Sequence, residues 1–301
     1  MKITINEDYS GVRLDKFLRS SFKNLPLSVV YKFIRIGKIK INSKKSKPDY
    51  RLKLNDCVEI FINDSEIEKI TKKESLIINK ITFKILYEDT DLLIVDKPAF
   101  LASHSGTGVM ENNLMDQVKF YLKNKNCQPS LINRLDRLTS GIIIIGKNPK
   151  IVRILNKMIR ENQIEKHYIA LIKGNIEDNE GIIKTKLKRI HEGFQHKAVI
   201  SDEGKLSETN YKVIKRFKDF TLLELIIKTG RMHQIRVQFQ SINHPIIGDK
   251  VYGDENVNKK FKLKHQFLHA FKIIFKHPIS NKQLEITSEL PKDLNNALNK
   301  L

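Results

Sequence analysis

Apolar residues recur at helical spacing twice within the first sixty positions. In GVRLDKFLRSSF, Val12, Leu14, Phe17 and Leu18 fall on one face; in LSVVYKFIRIGKI, Val29, Val30, Phe33 and Ile34 do, and Gly37 stands where a helix would stop. IKIN and VEIFIN then alternate apolar and polar residues as two strands flanking the turn-rich stretch SKKSKPDY. Residues 1–62 therefore read as a small helix–strand domain. The next stretch, 63–82, mixes charges with isolated apolar residues at no firm period and reads as a linker. From Phe83 to the end, at residue 301, β-branched runs dominate: FKILYED, LLIVDKP, GIIIIGK, KHYIALIKG, LLELIIKTG, HQIRVQF and FKIIFKHP. Helical patterns interrupt them near Leu114–Leu122 and Val152–Asn162. Many strands with few helices predict an α+β domain on a mixed, largely antiparallel sheet over residues 83–301. No period of 20 to 50 residues recurs, which excludes a repeat array.

Charge changes the picture more than hydropathy does. The chain carries 55 Lys and Arg against 34 Asp and Glu, a formal net charge of +21, which points to a polyanionic partner. Nine basic residues and one acid, Asp49, lie between Lys32 and Lys53, and Lys32, Arg35, Lys38, Lys40, Lys44 and Lys45 lead this cationic face as candidates for phosphate contact. No apolar run approaches the roughly 18 residues of a membrane span. The first twenty residues lack a secretory signal's apolar core and cleavage site, so the cytoplasm is the expected compartment. The only cysteines, Cys57 and Cys127, stand far apart with no metal-ligand spacing, so neither a disulfide nor a structural metal is implied.

Charge in this chain is supplied mostly by Lys, with only 12 Arg, yet four arginines sit in two short segments: Arg134 and Arg137 in NRLDRLTSG, Arg231 and Arg236 in TGRMHQIR. There the planar guanidinium fork is the property to suspect. NRLDRLTSG precedes the buried run GIIIIGK, so Asp136 is delivered at the mouth of a core strand; alone, such an aspartate is more often a turn former or a cap. Tyr168 alternates with Ile169 and Leu171 along a strand and, by itself, reads as a core aromatic. Arg236 lies about one helical turn after His233 and could be a surface charge.

Taken together these segments carry more. RLDxxTSG, KxYxAL, TGRxHQIR and HPIxGDxxYG, preceded by VDKP, resemble the pseudouridine synthases that modify large-subunit ribosomal RNA and related RNAs, in order from Phe83 onward. RLDKFL, LPLSVVYKFIRIGKIKIN and KPDYRLKLND resemble the S4 RNA-binding domain that precedes many of those enzymes. KPDY and the KxSET segment (Lys205, Ser207, Glu208, Thr209) are similar to one large-subunit ribosomal subgroup. The resemblance implies an isomerase that converts uridine to pseudouridine in 23S ribosomal RNA at several uridines near the peptidyl-transferase centre, by base flipping. It implies Asp136 as the catalytic carboxylate, Arg236 as its partner and Tyr168 beside the target base as a candidate to remove the C5 proton. Arg134 would fill the gap left by the flipped base, with Arg137 and Arg231 as further RNA contacts. No metal or cofactor is chemically required; the expected partner is ribosomal RNA or a large-subunit precursor, with no membrane, and the expected state a monomer. Asn133, Gln238 and Phe100 depart from the family pattern, which usually has His, His and Gly there. The competing readings are an idle RNA-binding factor and a nucleic-acid hydrolase using Asp136 with a metal, although the nearest acids in sequence, Asp116 and Glu161, are not in a metal-ligand pattern.

Overall fold

Both apolar faces of the first domain close on one core. In a computed structural model, describing residues 1–21, 27–62, 80–104, 112–123, 127–192 and 195–301, helices α1 (Leu14–Ser21) and α2 (Leu27–Arg35) bury Leu14, Phe17, Leu18, Val30, Phe33 and Ile34 against Ile39, Ile41, Leu52, Val58 and Ile60. Gly37 ends α2 as predicted, at φ 78°, its N–H donating to the Ile34 carbonyl while Lys38 N–H reaches Phe33. The sheet has the order β1-β4-β2-β3, with β1 (Lys2–Thr4), β2 (Ile39–Ile41), β3 (Lys44–Lys45) and β4 (Cys57–Ile60). Part of the predicted turn is thus a strand. Asn42 and Ser43, at φ 48° and 66°, make the tight reversal from β2 to β3, which needs positive φ at both positions. β1 has too few residues for a pattern to show.

Contacts divide the chain into two units, Met1–Ile77 and Ile78–Leu301. Of the linker read at 63–82, residues 63–79 lie outside the described residues; Thr82 donates both its N–H and its hydroxyl to Gln117 Oε1 (2.9 and 3.1 Å).

In the second unit an 11-stranded sheet runs β11-β10-β12-β13-β9-β14-β8-β6-β5, with β15 beside β14 and β7 beside β8. The strands are β5 (Lys84–Glu88), β6 (Leu92–Lys97), β7 (Ser130–Leu131), β8 (Ser140–Gly146), β9 (Glu165–Lys173), β10 (Glu180–Glu192), β11 (Gln195–Ile200), β12 (Lys205–Arg216), β13 (Phe220–Ile227), β14 (Leu268–Lys276) and β15 (Gln283–Thr287). Every pairing is antiparallel except β14 with β8. The isoleucines of β8 alternate between two cores. Ile143 and Ile145 meet α3 (Leu114–Leu122), and Ile142 and Ile144 meet α4 (Pro149–Arg160). A strand covered on both faces reads as one continuous apolar run, which is why no period shows there.

HQIRVQF, rich in branched residues but helically spaced, folds as helix α5 (Gln234–Ser241). β10, β11, β12 and two short helices, α6 (Glu255–Phe261) and α7 (Lys292–Leu298), have no counterpart in the predicted elements. The reason at β12 is mixed patterning. It exposes Leu206 and Ile214 and buries Ser207 and Thr209 completely, because at its start the inward face meets an amide, Gln238, and only further along do Tyr211 and Val213 pack on the hydrocarbon core. Gln238 Oε1 accepts the Thr209 hydroxyl at 2.6 Å, and its Nε2 donates to Ile183 O at 3.1 Å. Among the described residues no helix is long and apolar enough to cross a membrane.

Candidate active site

Asp136 sits in the turn between β7 and β8, and the residues around it explain its position. Thr139 N–H donates to the Asp136 carbonyl (3.0 Å), closing the turn. Asn133 fastens the loop to β8, accepting Ile144 N–H at 2.8 Å and donating to Ile142 O at 3.1 Å. The Ser103 hydroxyl donates to Leu135 O (2.8 Å), and Gln266 Nε2 donates to the Thr139 hydroxyl (2.9 Å). Behind the turn, Gly141 has φ 118° and touches β14; a Cβ there would stand 2.2 Å from the Ala270 carbonyl oxygen. The glycine of TSG is therefore a requirement of β8 passing against β14.

Arg236 projects from the first turn of α5 and is buried. Its Nη1 donates to Asp136 Oδ2 at 3.0 Å. The guanidinium fork itself grips a different carboxylate: Nε and Nη2 donate to Asp249 Oδ2 and Oδ1 at 2.6 and 2.9 Å. A carboxylate in the HPIxGDxxYG motif, given no role on sequence grounds, is the bidentate partner. Asp249 is fully buried and also accepts the N–H groups of Val251 and Tyr252 at 2.8 and 3.0 Å. Burial works against its ionisation, but Arg236 and these N–H groups outweigh it and hold its carboxyl below the usual range. Burial likewise opposes the Arg236 charge, and Asp249 and then Asp136 carry its proton affinity above the ordinary value. The Tyr252 ring lies under the guanidinium, 5.0 Å from centroid to Cζ.

The result is a carboxylate held at one oxygen and open at the other. The Asp136 side chain is 28% exposed, and among the described residues its Oδ1 takes no hydrogen bond. His233 approaches within 3.8 Å of Oδ2, and its Nδ1 is 2.9 Å from the Tyr252 hydroxyl. Burial keeps its imidazole below the ordinary value against the pull of Asp136, so at neutral pH it is an uncharged neighbour. Tyr168, on β9, is buried in the apolar core beside Ala170 and Leu225. Burial first, and the Asp136 charge second, push its phenol far above the ordinary value, which keeps the hydroxyl protonated at neutral pH.

Lys97, in VDKP, is a second residue whose placement linear reading missed. It is completely buried, with Nζ donating to Pro98 O and Leu101 O, both at 2.9 Å. Burial pulls its ammonium down to about 7, with the charges of Asp136 and Asp96 resisting the fall. The signal that could have found Lys97 and Asp249 is the same: an Asp–Lys pair closing an apolar run, Asp96 and Lys97 after LLIV and Asp249 and Lys250 after PIIG.

Arg134 and Arg137 are exposed on the Asp136 loop, and Arg231 on the loop before α5. Arg137 Nε donates to Phe100 O at 3.2 Å and Arg231 Nε to Leu206 O at 3.1 Å. The basic residues of the first domain are surface groups. Lys32, Arg35, Lys44 and Lys45 are exposed, Lys38 and Lys40 lie half-buried over the Phe33 and Phe61 rings, and Lys44, Lys45 and Lys47 line one concave patch. The acids nearest Asp136 in sequence serve elsewhere: Asp116 completes a capping box with Asn113 at the start of α3, and Glu161, at the end of α4, faces Lys157.

The family profile described as RNA pseudouridylate synthase matches residues 91–241, and the S4 domain profile matches residues 12–58. Over 99% of its length the chain is 38% identical to a protein of Buchnera aphidicola subsp. Schizaphis graminum (strain Sg) named ribosomal large subunit pseudouridine synthase C, 96% of which is covered. Its identity to the protein of that name from Vibrio cholerae is 34%, with 99% and 96% of the two chains covered. The solved structure of human RNA pseudouridylate synthase domain containing 4 shares the fold, with a TM-score of 0.59 at 22% identity over 72% of this chain and 92% of that one.

Proposed function

Since the chain belongs to the RNA pseudouridylate synthase family and carries an S4 domain, we propose that it isomerises uridines of 23S ribosomal RNA to pseudouridine, at several positions near the peptidyl-transferase centre. The observation that carries the reading is the half-open Asp136 carboxylate, one oxygen bonded to a buried arginine and the other open towards solvent. The reaction breaks the N1–C1′ bond of a uridine, turns the base, and joins C5 to C1′, with the C5 proton released. Nucleophilic addition and proton abstraction both start from an ionised carboxylate, and Oδ1 is the oxygen available for either. Arg236 aims that carboxylate through one bond from Nη1, and Asp249 keeps Arg236 aimed in turn. A neutral Tyr168 supplies a ring against the base and a protonated hydroxyl, so a standing phenolate is not the acceptor of the C5 proton. Arg134, exposed one residue before Leu135, supplies a flat cation for the gap in the RNA once the uridine has swung out.

Ribosomal RNA from cells lacking this protein should lose pseudouridine at a small set of large-subunit positions and regain it when the parent gene is returned. An unchanged pseudouridine map would defeat the reading. The S4 domain's share is tested separately by salt. If Lys32, Lys44 and Lys45 meet phosphates, changing all three to Ala should reduce the slope of log affinity against log salt by about 2 to 3, roughly 0.7 to 0.9 for each phosphate no longer neutralised. Filter retention between about 50 and 200 mM salt measures it. An unaltered slope would mean that these lysines only solvate the surface.

A further inference from the structure

We propose that Phe100 is a nucleobase-stacking residue whose ring receives an unpaired RNA base beside the Asp136 loop; the inference rests on the RNA-modifying reading of this site. Phe100 has φ 71°, in the left-handed region where a Cβ crowds the backbone. It is the sole apolar residue among the described non-glycine residues at positive φ, most of which are asparagines. A bulky residue persists in that conformation only when its surroundings over-determine it, and such residues gather at ligand sites.

The surroundings here are identifiable. Buried Lys97 bonds the carbonyls of Pro98 and Leu101, on either side of Phe100, and Arg137 Nε bonds the carbonyl of Phe100 itself. The backbone is thus tied both to the lysine beneath it and to the residue that follows Asp136. The ring so fixed is not in the core. It is 47% exposed, braced by one perpendicular contact with His265 at 5.5 Å between centroids. Apolar burial does not explain why strain is tolerated to display an aromatic ring. A π-face held rigidly next to an exposed guanidinium matches what single-stranded RNA presents, a flat base and a phosphate. Stacking is indifferent to which base arrives, so the ring steadies a nucleotide near the target and leaves the choice of uridine to other contacts.

The chain has no tryptophan, so Phe100→Trp places a single indole at the site. Titrated with a transcript of a 23S ribosomal RNA fragment that the parent protein retains on filters, its emission should be quenched in step with retention. Unchanged emission at saturating RNA would overturn the proposal. Phe100→Asn, which tolerates the left-handed backbone and should melt as a folded protein, removes the ring. Its KM should rise by about fivefold to a hundredfold, the loss falling on KM and not on kcat. A parental KM would also overturn the proposal. If the parent forms no pseudouridine in any ribosomal RNA, the functional reading fails, while the quenching still reports whether a base stacks on position 100.

Discussion

Asp136→Asn is expected to lower pseudouridine formation by at least about 10³-fold while leaving RNA retention close to that of the parent. The substitution keeps the side chain's size, and an amide oxygen can still accept from Arg236 Nη1, now 3.0 Å from Oδ2. It removes the charge and the one oxygen able to attack or to take a proton. Asn133, Ser103, Thr139 and Gly141 hold the loop through backbone bonds and packing, none of which involves the Asp136 carboxylate, so the variant should fold. Release of the uridine C5 hydrogen at saturating enzyme is the assay. A rate within tenfold of the parent would remove Asp136 from the chemistry.

Arg236→Lys should cost about tenfold to a hundredfold in single-turnover rate even though the formal charge is kept. The arginine spans two carboxylates with three nitrogens: Nη1 on Asp136, Nε and Nη2 on Asp249. An ammonium is one point on a flexible stem and cannot hold both at once. Asp249→Ala separates support from chemistry. With its fork unpaired, buried Arg236 faces an uncompensated desolvation cost, and the protein should lose about 3–5 kcal/mol of stability, measured by urea unfolding. Arg236→Lys, which leaves an opposite charge near Asp249, should lose less. If Asp249→Ala unfolds at the parental urea midpoint, the fork is not the structural tie described; if Arg236→Lys reacts at the parental rate, another group orients Asp136.

Particular residues show where linear reading holds and where it fails. The helices of the first domain, the GIIIIG strand and the stop at Gly37 follow from apolar spacing at a helical period, from one continuous apolar run and from one glycine, all local properties that the structure preserves. β12 is different. Its inward face starts with Ser207 and Thr209 before Tyr211 and Val213 reach the core, and at that start the rule that apolar residues point inward reverses because a buried amide from α5 supplies the hydrogen bonds. Phe100 is a similar case. Its departure from glycine is visible in the sequence, but only the backbone shows that it retains the positive φ that glycine would take freely.

The sequence by itself determined the class of the fold, the basic character of the surface and the segments that carry Asp136, Tyr168 and Arg236, because each depends on residue type and on order along the chain. Only the tertiary structure decided how those residues are paired. Asp136 and Arg236 are 100 positions apart, and Asp249 is the carboxylate that fills the arginine's fork. Lys97 loses its preference for the charged state only once the strand carrying it is covered. Hydrogen-bond direction, desolvation and the distance between charges are properties of positions in space, and a linear pattern constrains them only through the fold it produces.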